Sequence, residues 1–281
     1  MISHGNLIYS VAAGLRDAAI FDTDEQLCFL PLCHILERLF SVNAPIATAS
    51  TINFSESPET VFDNLQEVRP QTFVAVPRLW EKIYSRVAIR VGEATALQKW
   101  AYKQAVEAGR VRADCLAKGK RLPFFVSLAY RFWDFAVLRN LRRMIGMDRL
   151  RRGGSGAAPI SPDLLRWYHS IGVSVLEGYG MTESAGIISL NNPVKNKIGT
   201  VGTVMPGAEI RISDEGEIQY KAGNVFQGYW RNPEKTAEVF THDGWLRTGD
   251  VGELDNRGFL TITGRLKDII ITAGGKNISP A

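Results

Sequence analysis

The chain has 281 residues, 45% hydrophobic and 22% charged, with a formal net charge of +4. These are globular proportions; they exclude a disordered or fibrous polypeptide and allow one large domain or two small ones. No apolar run approaches the ~20 residues of a membrane-spanning helix, and the N-terminus has no charged region followed by an apolar stretch, so no targeting segment is expected.

In chain order, His4 to Asp17 has helical spacing, and Leu27 to Leu32 is a short apolar run that suits a buried strand. Ser57-Pro58-Glu59 predicts a helix start with Pro at the first helical position, and that helix ends near Arg69-Pro70. Thr72 to Val76 is a β-branched strand. Strands alternating with helices predict a parallel sheet covered on both faces. From Arg78 to Gly146 the chain is low in Gly and Pro and predicts two long helices with a break from Ala117 to Pro123. The stretch Lys82 to Arg152 holds 17 Lys and Arg against 5 Asp and Glu, together with aromatics such as Trp100, Phe124, Phe125 and Phe132. Basic plus aromatic composition admits nucleic acid, an anionic membrane surface or a solvated helical face; no nucleic-acid module signature accompanies it, so nucleic acid is not expected. The α/β pattern then resumes with a strand from Leu150 to Ser155, a capped helix start at Ser161-Pro162-Asp163 and a strand from Val173 to Leu176. After Asn191, Ala208 to Ile212, Glu217 to Tyr220 and Phe259 to Ile262 alternate like antiparallel strands, with turns at Asp214-Glu215-Gly216 and Asp255 to Gly258 and a short helix starting at Asn232-Pro233-Glu234. Cys28, Cys33 and Cys115 follow no metal-ligand spacing; an odd count without a signal peptide fits a reducing cytoplasm, and all three read as small buried residues.

Four motifs follow one another in the second half: Gly154-Ser155-Gly156-Ala157-Ala158-Pro159, then Glu177-Gly178-Tyr179-Gly180-Met181-Thr182-Glu183-Ser184, then Gly244 to Asp250, then Gly264-Arg265-Leu266-Lys267-Asp268. Together they supply an aromatic ring, a hydroxyl beside a carboxylate, an isolated carboxylate and an Arg near a Lys. Those groups suit an adenine, a metal-bound phosphate and a ribose diol. The ordered set resembles the AMP-forming adenylating superfamily of acyl- and aryl-CoA synthetases, luciferases and peptide-synthetase adenylation domains. Glu37-Arg38, the long basic insert and the Glu177–Ser184 sequence favour its long-chain fatty acyl-CoA synthetases.

The resemblance implies an α/β fold: a partial large N-terminal domain over 1–263, with a helical basic insert at about 78–147 and a small antiparallel β-barrel-like subdomain at about 199–263. Residues 264–281 would be the hinge, at Lys267, and the first strand of a C-terminal domain. It implies ATP or AMP, Mg²⁺ and coenzyme A as cofactors and co-substrates, and a fatty acid as substrate. Tyr179 would stack on adenine, Thr182 would bond a phosphate oxygen and Glu183 would hold Mg²⁺, with Thr182, Glu183 and Arg265 in the catalytic set. Gly154, Ser155, Gly156, Ala157, Glu177, Gly178, Gly180 and Met181 would border the nucleotide; Asp250 would accept the ribose diol and Arg265 would reach the ribose or phosphate. His34, Trp80 and Gly180 would line the acyl pocket, although an isolated His and a core Trp read equally well as structural. The protein is expected to be cytoplasmic; peripheral contact of the basic, aromatic stretch with an anionic membrane, and a homodimer, are left open by the sequence.

Met1 to Leu7 resembles the stretch that follows the family's phosphate loop, and Lys276 lies too close to the hinge to be its C-terminal lysine. The chain is therefore expected to be an internal piece, inactive alone, of a long-chain fatty acid–CoA ligase. An aryl- or short-chain acyl-CoA ligase and a non-catalytic nucleotide-binding module stand as alternatives.

Overall fold

The computed structural model describes residues 1–268, 270–271 and 277–278, with side chains through Lys267. Lys276 lies outside the described residues, as does most of the expected C-terminal strand. The chain divides into two units, one made of Met1–Ala19 with Gly178–Ala281 and the other of Ile20–Glu177. The first unit is discontinuous, and neither boundary carries a Pro- or Ser-rich linker in the sequence.

Helix α1 (His4–Asp17) opens the first unit. Ser3 caps it by accepting from the Asn6 amide while the Asn6 side chain accepts from the Ser3 amide.

The second unit is a parallel sheet. Its strands β1 (Glu25–Cys28), β2 (Thr51–Phe54), β3 (Thr72–Ala75), β4 (Arg152–Ser155) and β5 (Val175–Tyr179) lie in the order β2-β1-β3-β4-β5. Every crossover runs through helix: α2 (Ile35–Arg38) and α3 (Ala44–Thr48), then α4 (Val61–Val68), then α5 (Pro77–Gly92), α6 (Ala96–Ala117), α7 (Phe124–Trp133) and α8 (Arg139–Met144), then α9 (Pro162–Ser170). The core gathers Leu65, Phe73, Trp80, Ile83, Leu165 and Tyr168, with Trp80 edge-on to both Phe73 and Tyr168. Ion pairs sit at the strand starts: Arg151 with the buried Asp24, and Arg149 with Glu25 at 3.0 Å. They occupy the edge opposite the strand C-terminal ends, where α/β sheets receive ligands.

Several boundaries differ from the sequence expectation. The first strand begins earlier and stops at Cys28, and the Leu30 amide donates instead to the buried Glu37 carboxylate. The helix expected at Pro58 starts at Val61, because Ser57 and Thr60 exchange hydrogen bonds that hold the preceding residues as a turn. The first of the two long helices is interrupted at Glu93–Thr95, where Thr95 and Gln98 form a capping box that starts α6 afresh. Strand β5 runs on to Tyr179, so the glycine-spaced segment at Gly178 is strand rather than turn.

In the first unit, the last residues of β5 pair antiparallel with β6 (Ser189–Leu190), and β6 pairs with β7 (Thr203–Val204). A four-stranded antiparallel sheet follows, with β8 (Glu209–Ile212), β9 (Glu217–Lys221), β10 (Leu246–Leu254) and β11 (Leu260–Arg265) in the order β11-β10-β9-β8. Helix α10 (Pro233–Glu238) interrupts it, and β12 (Ile270–Ile271) pairs with β13 (Asn277–Ile278). Ile188, Tyr220, Phe226 and Leu246 form the core. Helix α1 is tied to this unit by its polar face: Asn6 Nδ2 donates to the carbonyls of Gly223 (2.8 Å) and Val225 (2.9 Å), and Ser10 Oγ donates to that of Ala185 (2.9 Å).

Candidate functional site

Strand β10 is not regular where it carries Asp250. Its register with β9 slips between Arg247 and Val251, and Gly249 takes the left-handed conformation at φ +72°. The bulge is pinned from both sides. The buried Glu217 carboxylate accepts from the Gly249 amide (3.1 Å) and from Arg247 Nε (2.9 Å), while Thr248 Oγ1 donates to the Ile218 carbonyl (2.8 Å) and accepts from the Asp250 amide (3.1 Å). A β-bulge re-aims the side chain that follows it. Here that side chain is Asp250, which is buried. Its Oδ2 accepts from the Tyr179 hydroxyl at 2.6 Å and its Oδ1 from Arg265 Nε at 3.1 Å, Arg265 being its register partner on β11. Arg247, its nearest basic residue in sequence, is occupied by Glu217 instead. Burial and the adjacent Asp250 charge push the Tyr179 phenol well above its ordinary range, so it stays a donor.

Past Tyr179 the chain makes a tight turn. A Cβ at Gly180 would stand 2.1 Å from the Gly186 carbonyl oxygen, so only glycine lets the two backbones pass. Thr182–Ser184 is a single 3-10 turn; Thr182 is exposed at its tip, and Ser184 Oγ closes it on the Met181 carbonyl (3.0 Å). Glu183 Oε1 accepts from the Tyr229 hydroxyl at 2.8 Å, and the Glu183 carbonyl accepts from the Phe226 amide at 2.8 Å. Burial first, then this bond to Glu183, push the Tyr229 phenol up to about 12. The turn hangs on one further residue. The buried Asn224 donates from Nδ2 to the carbonyls of Ser184 (2.7 Å) and Ile187 (2.8 Å) and accepts from the Tyr220 hydroxyl (2.9 Å). Sequence reading passed over Asn224, Tyr229 and Glu217. The Gly-Asn and Gly-Tyr pairs at 223–224 and 228–229 were the local signal of turns there.

Most of the remaining predicted residues fall in the second unit. Gly154 and Ser155 end β4, with Ser155 in register with Glu177 on β5. Ser155 Oγ is buried and has no hydrogen-bond partner among the described residues, and Ala157 adopts φ +68°. Trp80 is wholly buried, and its Nε1 donates to the Gly154 carbonyl at 3.2 Å. His34 is exposed and caps α2, its Nδ1 accepting from the Leu36 amide. In the first unit, Lys267 is exposed on the 3-10 turn Leu266–Asp268 that follows β11. Among the described residues no cluster of three or more His, Cys, Asp or Glu could hold a metal by itself.

A family model described as AMP-binding enzyme matches residues 1–230. The chain belongs to the AMP-binding enzyme family. It is 36% identical over 282 residues to long-chain-fatty-acid–CoA ligase FadD15 of Mycobacterium tuberculosis, covering all of itself and 46% of that protein. It is 34% identical over 292 residues to long-chain-fatty-acid–CoA ligase ACSBG2 of Gallus gallus, of which it covers 38%. Among solved structures, ATP-bound MatB from Rhodopseudomonas palustris matches it with a TM-score of 0.69 at 26% identity, over 100% of this chain and 47% of the other. O-succinylbenzoate CoA synthetase (MenE) from Bacillus subtilis, in complex with the acyl-adenylate OSB-AMP, shares the fold at a TM-score of 0.70 and 24% identity, over 100% of this chain and 48% of the other. The chain thus spans less than half the length of these relatives.

Proposed function

We propose that the protein carrying this chain activates a long-chain fatty acid with ATP and passes the acyl group to coenzyme A. The carboxylate oxygen attacks the α-phosphorus and pyrophosphate leaves; the coenzyme A thiolate then attacks the acyl-adenylate carbonyl and AMP leaves. The observation that supports this most is Asp250 held between Tyr179 and Arg265: a diol acceptor beside an aromatic ring and a cation, the complement of a nucleoside and its phosphate. Asp250 would take the ribose hydroxyls, Tyr179 the adenine face, Thr182 a phosphate oxygen and Arg265 the ribose or phosphate. Charge placed where the α-phosphate develops it is what lowers the barrier.

Glu183 suits Mg²⁺. One carboxylate, with an oxygen left over from the Tyr229 bond, fits a hard cation that takes its other ligands from phosphate and water. When bound, the ion would neutralise phosphate charge. The orphaned Ser155 hydroxyl supports a ligand-facing role for the Gly154–Ala157 segment. Long-chain specificity is supported by the FadD15 and ACSBG2 similarity, with His34 and Trp80 as the chain's candidates on the acyl side and Lys267 as hinge.

The test is acid-dependent ATP–pyrophosphate exchange, followed by coenzyme A-dependent AMP release. Exchange with palmitate but not benzoate or acetate is expected. ADP formation would overturn the adenylation chemistry; exchange driven by benzoate or acetate alone would overturn the long-chain assignment.

A further inference from the structure

Helix α7 is built the wrong way round for a helix that serves a core. Its sequence, Phe-Phe-Val-Ser-Leu-Ala-Tyr-Arg-Phe-Trp, contains no buried residue. Helical spacing puts Phe124, Phe125, Leu128 and Phe132 on one arc, which Phe135 extends into the following turn. That arc faces outward: Phe124 is 74%, Phe125 80% and Phe135 73% exposed. The opposite arc is the one that packs, with Trp133 edge-on to Trp100 of α6 and Tyr130 under the Arg112 guanidinium. Five contiguous exposed apolar side chains on one helix mark an interaction surface rather than ordinary surface scatter.

The charges around the arc say what it meets. The acidic residues of the α6–α7 region are consumed internally: Glu107 and Asp114 pair with Arg110, and Asp134 pairs with Arg142. The bases are not. Lys118, Lys120 and Arg121 in the connecting segment, and Arg131 on the apolar arc itself, are exposed and make no ion pair among the described residues. An apolar arc rimmed by uncompensated cations complements a lipid surface whose acyl boundary lies beneath anionic phosphates. A second copy docking through the same face would set these cations against each other, and an acidic polymer would leave the aromatic arc in water.

We propose that the α6–α7 hairpin seats this protein on an anionic bilayer, with the aromatic arc of α7 in the acyl boundary and the basic segment at the lipid phosphates. No described helix is long and apolar enough to cross a membrane, so α7 lies in the interface plane. The inference is independent of which acid the protein activates.

The test is flotation of the protein carrying this chain with phosphatidylcholine vesicles, with and without about one-third phosphatidylglycerol. Binding to the anionic vesicles is expected to exceed that to neutral ones at least about tenfold and to fall steeply when salt is raised several-fold above about 0.1 M. The triple variant F124S/F125S/L128S, with every change on an exposed position, is expected to lose at least about tenfold in binding while its circular dichroism is unchanged. The K118E/K120E/R121E variant is expected to lose the preference for anionic vesicles. Equal binding to both vesicle types, binding to neither, or anionic binding insensitive to the serine variant would each overturn the proposal. So would sedimentation showing that the serine changes dissolve a dimer that does not bind vesicles.

Discussion

Replacing Asn224 by Ala tests whether the Thr182–Ser184 turn is held from below. The side chain is buried and takes part in four hydrogen bonds: Nδ2 donates to the Ser184 and Ile187 carbonyls and, at 3.2 Å, to Ser10 Oγ, and Oδ1 accepts from the Tyr220 hydroxyl. Truncation leaves two carbonyls and a buried phenol without partners. Each orphaned group costs about 1–3 kcal/mol, so after partial relaxation a loss of about 3–5 kcal/mol is expected. That is a large share of the ~5–15 kcal/mol by which a domain is stable. The assay is urea unfolding followed by intrinsic tryptophan fluorescence, read as a fall in midpoint at constant slope. AMP affinity should fall with it, because Thr182 and Glu183 ride on the turn. Asn224→Asp keeps the shape but sets a carboxylate against two carbonyl oxygens. It should be no better than Ala near neutral pH and should recover in acid as the carboxyl gains a proton to donate. A loss below about 1 kcal/mol for Asn224→Ala would refute the claim that this residue organises the turn.

Three further outcomes are expected. Asp250→Ala removes charge-assisted bonds to the proposed ribose; ATP affinity should fall on the order of tenfold to a thousandfold with acid preference nearly unchanged, and unaltered ATP dependence would leave Asp250 a purely structural role. Tyr229→Phe frees the Glu183 carboxylate, so the Mg²⁺ concentration for half-maximal pyrophosphate exchange should rise about three- to tenfold while metal-free AMP binding holds; an unchanged Mg²⁺ requirement would separate Tyr229 from the metal. His169 is held below its ordinary value of 6.5 by burial, which outweighs the bond of its Nε2 to the Val175 carbonyl at 2.9 Å. The folded state therefore resists the proton: this stability is complete above the unfolded value and is lost as pH falls through it toward the folded one. The urea midpoint should drop between about pH 8 and about pH 5 and the drop should shrink in His169→Gln; equal pH slopes in the two proteins would rule His169 out as the cause.

What could be read from sequence is what is written in neighbouring residues. Tyr179, Thr182, Glu183, Asp250 and Arg265 stand in short motifs whose composition already suggests nucleotide chemistry, and the first unit brings Tyr179, Asp250 and Arg265 into one hydrogen-bonded set. Thr72–Ala75 was legible because β-branched and apolar residues are bounded by clear stops. Glu217 and Asn224 were not, because their meaning lies in which backbone groups they meet, some 30 to 40 positions away. Strand β2 was missed because Thr51-Ile52-Asn53-Phe54 is short and mixed; pairing with β1 makes it a strand, and pairing leaves no local mark. The break before α6 was missed for a different reason. Thr95 and Gln98 are a capping box, but both flanking segments are helical in pattern and read as one.

The ties that hold α1 carry a consequence for the order in which the molecule assembles. Asn6 finds its two carbonyl acceptors 217 and 219 positions further along the chain, with all of Ile20–Glu177 in between. At the ~5–20 residues per second of synthesis, α1 leaves the ribosome about 10–45 seconds before its acceptors exist. During that interval Asn6 Nδ2 and Ser10 Oγ lack the carbonyls of Gly223, Val225 and Ala185 to which they donate in the finished protein. The parallel sheet of Ile20–Glu177 has no such wait, since its residues emerge as one block. Synthesis therefore favours a sequence in which the interrupted unit closes last, so that the Asp250 and Glu183 environments come into being only after the inserted sheet has had time to fold.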